Sequence, residues 1–175
     1  MSPTRPRYST DSIDLIDLAA GTTGSGIASS CLVDVNLLLW AHHRQFPRHD
    51  AARAWWEESL SVGRLIGIPW PTIVAFIHIS TDHRVLERPA ERDEAAATTQ
   101  GWLDRPNTWV PVPTDRHSAI FFDLLRSSDS AARHTPDCHL AALAIEWGLE
   151  LLTADRDFAR YPRLQWRNPL DPWAG

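Results

Sequence analysis

From residue 30 onward the chain alternates short apolar runs with longer segments whose apolar residues recur at helical spacing. "SCLVD" (30–34) reads as a buried strand, and "VNLLLWAHH" (35–43) stays apolar long enough for a helix, so strand passes into helix at Asp34. "RHDAARAWWEESLS" (48–61) carries Ala51, Trp55 and Leu60 on a helical period, with Gly63 as its stop. "RLIGIPW" (64–70) is the second strand, and Pro71 opens the helix "PTIVAFIHIST" (71–81). A further helix is expected over 91–103, a strand over 108–112 and a helix over 115–128. "PDCHLAALAIEWG" (136–148) has Pro in its first turn and Gly at its end, the usual punctuation of a helix. Strands over 149–153 and 163–167 complete the pattern.

Strands alternating with helices predict an α/β layered fold on a mostly parallel sheet of about five strands. In such folds, sites form outside the carboxyl ends of the strands, where the strand order reverses. Residues 1–29 mix Ser, Thr, Gly and Pro around one apolar patch, Ile13 to Leu18, and read as a flexible extension ending in "TTGSG" (22–26). The expected organisation is that extension, one folded domain over 30–170 and a short tail, 171–175.

Composition narrows the chemistry. No apolar run approaches the roughly 20 residues of a membrane span, and no secretory signal pattern opens the chain, so a cytoplasmic protein is expected. Cys31 and Cys138 lie in apolar segments and read as buried thiols, with no Cys/His spacing of a zinc site. The net charge of −5 argues against broad attraction to nucleic acid, while leaving room for a local basic rim. All 17 basic residues are arginine. Receiver domains and haloacid-dehalogenase-like phosphatases also gather aspartates at strand ends, but both use a lysine, and this chain has none. The phosphatase pattern D-x-D-x-T is also missing, since V-D-V-N follows the first strand.

The acids fall where the fold makes them informative. Asp34 closes the first strand, Asp155 and Asp157 close the fourth, and Asp137 lies in the first turn of the helix between. Singly, each has an ordinary explanation as a helix cap, a turn residue or one half of a surface pair. Together they would repel and raise one another's pKa, which a divalent cation relieves. Hard oxygen donors without Cys or paired His favour Mg²⁺, with Mn²⁺ as a plausible substitute. No glycine-rich phosphate loop is present.

On "CLVDVNLLLWA", "GIPWPTIVAFIHISTDHRV" and "TPDCHLAALAIEWGLELLTADRDFARYPRLQWRNPL" the chain resembles the VapC toxins of bacterial toxin–antitoxin pairs, which are PIN-domain ribonucleases. The resemblance runs over about residues 30–170. It implies a PIN-like three-layer fold and metal-dependent cleavage of RNA. By position it also implies Asp34, Asp137 and Asp155 as catalytic metal ligands, Asp157 as a neighbouring acid at the metal, and Asn36 and Thr153 as hydrogen-bond partners behind them. It further implies a VapB-like antitoxin partner and, commonly, a homodimer. The Trp-bearing helix 48–61 is a reasonable surface for either, or simply packs on its own core.

One position departs from the pattern. The family places Glu before Phe in the helix after the second strand, and this chain has Ala75–Phe76. A three- or four-aspartate site or a catalytically weakened binding module follows, with Asp82 a candidate substitute ligand. Arg156, Arg44, His43 and Arg84 are candidate phosphate contacts for RNA, and Trp40, Trp55 and Trp56 candidate stacking surfaces or core.

Overall fold

The structure is a computed structural model that describes residues 30–61, 64–127 and 134–171. The expected extension 1–29, the Gly63 stop and most of the tail 171–175 lie outside the described residues.

Five strands appear in the order expected: β1 (Cys31–Val33), β2 (Ile66–Gly67), β3 (Thr108–Trp109), β4 (Glu150–Leu152) and β5 (Trp166–Arg167). Between them lie α1 (Val35–His42), α2 (His49–Ser61), α3 (Trp70–Ser80), α4 (Arg92–Leu103), α5 (His117–Ser127) and α6 (Thr135–Trp147). All strand pairings are parallel, and the spatial order is β3-β2-β1-β4-β5. Sequence order therefore runs outward from β1 in one direction and resumes at β4 on its other side. The reversal lies between β1 and β4, where Cys31, Leu32 and Val33 face Glu150, Leu151 and Leu152.

Both faces of the sheet are covered, which is why its strands read as unbroken apolar runs. Cys31, Val33, Ile66 and Leu152 pack with Leu37, Leu38, Trp56, Phe76 and Trp102 from α1–α4. On the opposite face Leu32 and Leu151 meet Leu124 of α5, Cys138 and Leu140–Ala144 of α6, and Phe158 and Tyr161. The strands are shorter than the apolar runs because Pro69 and Pro111 follow β2 and β3 without an N–H to extend the ladder. Helix α3 starts at Trp70, one residue before the proline expected to open it, since the second helical position tolerates the missing N–H. Gly148 ends α6 in the left-handed region (φ 65°), and the next N–H, of Leu149, donates back to Ala144 O at 2.9 Å. No described helix is long and apolar enough to cross a membrane.

Trp56 is buried at 5% exposure, so it belongs to the core and offers no face to a base; Trp40 and Trp55 are half-buried against the same cluster. Both cysteines are buried and free. Glu146 was not distinguished by its sequence context, yet its side chain has no exposed surface. It accepts from the Thr114 N–H and lies 2.6 Å from His117 Nδ1, whose Nε2 is 2.9 Å from His139 Nδ1.

Candidate active site

The site assembles at the β1–β4 reversal. Asp34 follows β1 in extended conformation (φ −80°, ψ 152°) and caps α1, its Oδ1 accepting from the Val35 N–H at 2.6 Å. Its own N–H continues the sheet ladder to Leu152 O at 3.0 Å, which fixes it beside the end of β4. Thr153, fully buried one residue past β4, donates its hydroxyl to Asp34 Oδ2 at 2.7 Å. Asn36 donates to the same oxygen at 2.8 Å and to Thr153 Oγ1 at 2.9 Å, while its own carbonyl accepts from the Ala154 N–H at 3.2 Å. The Thr153 oxygen also accepts from the Asp155 N–H at 3.1 Å. The two strand ends are thus tied by side chains from both, and Asn36 and Thr153 stand directly behind Asp34 and Asp155.

An ionised carboxylate has about four lone-pair positions, and three on Asp34 are used by these donors. Burial pushes the Asp34 carboxyl up to about 6; the Thr153 and Val35 bonds oppose that, and the charges of Asp137 and Asp155 add to it. The three acids assigned by resemblance therefore share one electrostatic neighbourhood.

Asp155 opens a short 3₁₀ turn, Arg156–Arg160, accepting from the Asp157 N–H at 2.8 Å. That turn, not the strand, carries Asp157, whose carboxylate meets Arg160 at 3.0 Å and is about half-exposed. Asp137 stands in the first turn of α6 with its Oδ2 3.1 Å from His134 Nδ1; the same nitrogen is 3.9 Å from Asp157 Oδ2. Among the described residues no three His, Cys, Asp or Glu side chains form a ready-made metal-ligating group. Asp137 and Asp157 are turned toward His134 and Arg160. The donor set is nonetheless all-oxygen, partly buried and mutually repelling, which in chemistry fits a hard divalent cation.

A family comparison decides the lineage. The PIN-domain profile matches residues 31–164, and Ribonuclease VapC33 of Mycobacterium tuberculosis is 38% identical over 137 residues, covering 78% of this chain and 96% of that one. The chain belongs to the PIN-domain family, in its VapC branch. Ribonuclease VapC43 of M. tuberculosis is 34% identical over 139 residues, 79% of this chain and 95% of that one. The PIN fold is shared with FitAcB from Neisseria gonorrhoeae (TM-score 0.58, 16% identity, 79% of this chain and 97% of that one). It is shared too with VapBC2 from Rickettsia felis, whose structure holds a promoter DNA fragment (TM-score 0.57, 14% identity, 78% and 96%).

The outer residues of this PIN domain are less convergent. Ala75 is half-buried on α3, one turn after Thr72, whose hydroxyl donates to Val33 O at 3.2 Å, so α3 packs over the end of β1 without bringing a carboxylate. Asp82 lies beyond α3, its two oxygens taken by Arg84 at 2.8–3.2 Å, which holds its carboxyl well below the usual range. The pair lies at the surface, with the Arg84 side chain 74% exposed. His43 ends α1, about 12 Å of helix away from Asp34, 2.8 Å from Ser80 Oγ and stacked on Phe76. Arg44 lines a separate cavity with Phe46, His49 and Arg53 at the start of α2. Of the four, Arg156 stands next to the site, 86% exposed and 3.7 Å from Asp171.

His134 escaped the sequence reading because it lies outside the helical period and matches no metal-ligand spacing. The one available signal was its place three residues before Asp137, which a helical start brings to the same face.

Proposed function

We propose that this PIN domain is the toxin of a type II toxin–antitoxin pair and acts as a Mg²⁺-dependent endoribonuclease, with Mn²⁺ as a working substitute. The observation that carries this is the Asp34–Thr153–Asn36 network at the strand-order reversal, where Asp137 and Asp155 also press on the Asp34 charge. Relatives at 34–38% identity are named ribonucleases, and structural neighbours include toxin–antitoxin complexes.

Asp34, Asp137 and Asp155 would hold the cation, with Asp157 beside them. A divalent ion bound there supplies charge neutralisation at the scissile phosphate and acidifies an attached water. The chain's own share is orientation. Thr153 and Asn36 fix the Asp34 rotamer, and the Thr153 oxygen anchors the Asp155 backbone. Water as the nucleophile needs no 2′-hydroxyl and leaves 5′-phosphate and 3′-hydroxyl ends. A group of acids of this kind suits a basic segment of a VapB-like antitoxin.

A second reading is a binding module with weakened catalysis, and Ala75 is the residue that favours it. Purified protein and Asp34→Asn, each incubated with structured RNA in Mg²⁺, Mn²⁺ or Ca²⁺, separate the two. The nuclease reading expects cleavage in Mg²⁺ and Mn²⁺, reduced by at least about 100-fold in the variant, since even residues behind metal ligands are worth 10–100-fold. Equal background from both proteins would leave the binding module.

A further inference from the structure

We propose that His134 is a positioning residue: it anchors one oxygen of the Asp137 carboxylate and leaves the other free to take part in holding a divalent cation. The inference rests on the metal-site reading above and adds to it a residue from the loop before α6.

Helix economy does not explain this histidine. His134 occupies the N-cap of α6, a position served by side chains that accept a hydrogen bond, and its own side chain makes no cap bond. An imidazole donating hydrogen bonds at a helix N-terminus sits at the unfavourable, positive end of the dipole. It is also buried, at 5% exposure, which costs a polar ring unless something pairs with it. What pairs with it is acid from two separate segments: Asp137 Oδ2 at 3.1 Å, on its own helix, and Asp157 Oδ2 at 3.9 Å, on the turn after β4. An ionised carboxylate only accepts, so Nδ1 carries the proton in this arrangement. One oxygen of Asp137 is thereby held and its other oxygen stays available. A carboxylate fixed in this way gives up less rotational freedom when it binds an ion, as imidazole–carboxylate pairs behind metal ligands do. With Ala75 offering no carboxylate from α3, each remaining ligand's orientation weighs more.

Tyr161 provides a control inside the same structure. It is buried beside these acids, feels the charges of both Asp137 and Asp157, and its hydroxyl has no hydrogen-bond partner among the described residues. Proximity without a bond is what Tyr161 offers; proximity with a bond is what His134 offers.

The test is Mn²⁺ titration of the full-length protein by calorimetry, without RNA. Variants are His134→Phe, which keeps a buried ring without nitrogens, His134→Asn, whose amide reaches the Nδ1 position, and Tyr161→Phe. The expected result is Mn²⁺ affinity weakened about 10–100-fold in His134→Phe, mostly restored in His134→Asn, and unchanged in Tyr161→Phe. Wild-type affinity in His134→Phe, or equal loss in the Phe and Asn variants, overturns the positioning role while leaving the metal site standing. Absence of Mn²⁺ binding by the wild type overturns both. Should His134→Phe fail to fold, the comparison of His134→Asn with wild type still decides, since a loss as large as about 10-fold there removes the proposal.

Discussion

The Thr153 hydroxyl donates to Asp34 Oδ2 at 2.7 Å across 119 positions of sequence, and this bond joins the two strand ends on which the site is built. Thr153 Oγ1 itself accepts from Asn36 Nδ2 and from the Asp155 N–H, so one side chain serves three partners. Thr153→Val keeps the shape and removes all of that. Leaving a buried carboxylate short of a donor is worth about 1–3 kcal/mol, so urea midpoints should fall accordingly. RNA cleavage should fall further than stability does, and wild-type cleavage by a folded Thr153→Val protein would remove the network from the mechanism.

Asp34 gives the site a pH signature. Its unfolded carboxyl ionises at 3.8 and its folded one at about 6. A raised carboxyl favours the folded protein while protonated and loses that advantage as the pH climbs through the folded value. The loss is on the order of 3 kcal/mol between about pH 4 and pH 7 in metal-free buffer. A carboxyl ¹³C titration should place Asp34 near 6 in chelator and drop it toward the ordinary range when Mg²⁺ is added. A value near 4 without metal would show that the site is wetter than its burial implies.

Ala75 allows a gain-of-function experiment. Thr72 pins the first turn of α3 to the end of β1, and Ala75 is half-buried one turn later on the same helix. Ala75→Glu should tighten Mn²⁺ binding measured by calorimetry, by about 10-fold or more if the new carboxylate reaches the ion. Its cost to folding should be small because the position is not fully buried. Unchanged or weaker affinity would mean that α3 is set too far from the site for a ligand.

Away from the site, His117→Ala should be among the more damaging single changes. Glu146 has no exposed side-chain surface and rests on His117 at 2.6 Å, so removing the imidazole leaves one oxygen of a buried carboxylate without its donor while the other keeps the Thr114 N–H. Leaving a buried polar group short of one partner costs about 1–3 kcal/mol. Circular-dichroism melts should show it, with Mn²⁺ affinity unaltered in whatever fraction remains folded.

Much of this protein is written locally. Short apolar runs with both faces destined for burial specify strands, and Pro136 and Gly148 punctuate α6 in the sequence as they do in the structure. The aspartates at strand ends fall along one edge of the sheet because parallel strands align their carboxyl ends, whatever the order of the sheet. Tertiary structure decided which side chains turn toward one another. The placement of β4 beside β1 brought Thr153 to Asp34, and the turn after β4 carried Asp157 away to Arg160 and toward His134. Arg84 likewise pairs with Asp82 at the surface, and Trp56 folds into the core. Periodicity records which face of an element is apolar. The partner of a polar side chain depends on distances between segments far apart in the chain, and no local pattern carries those.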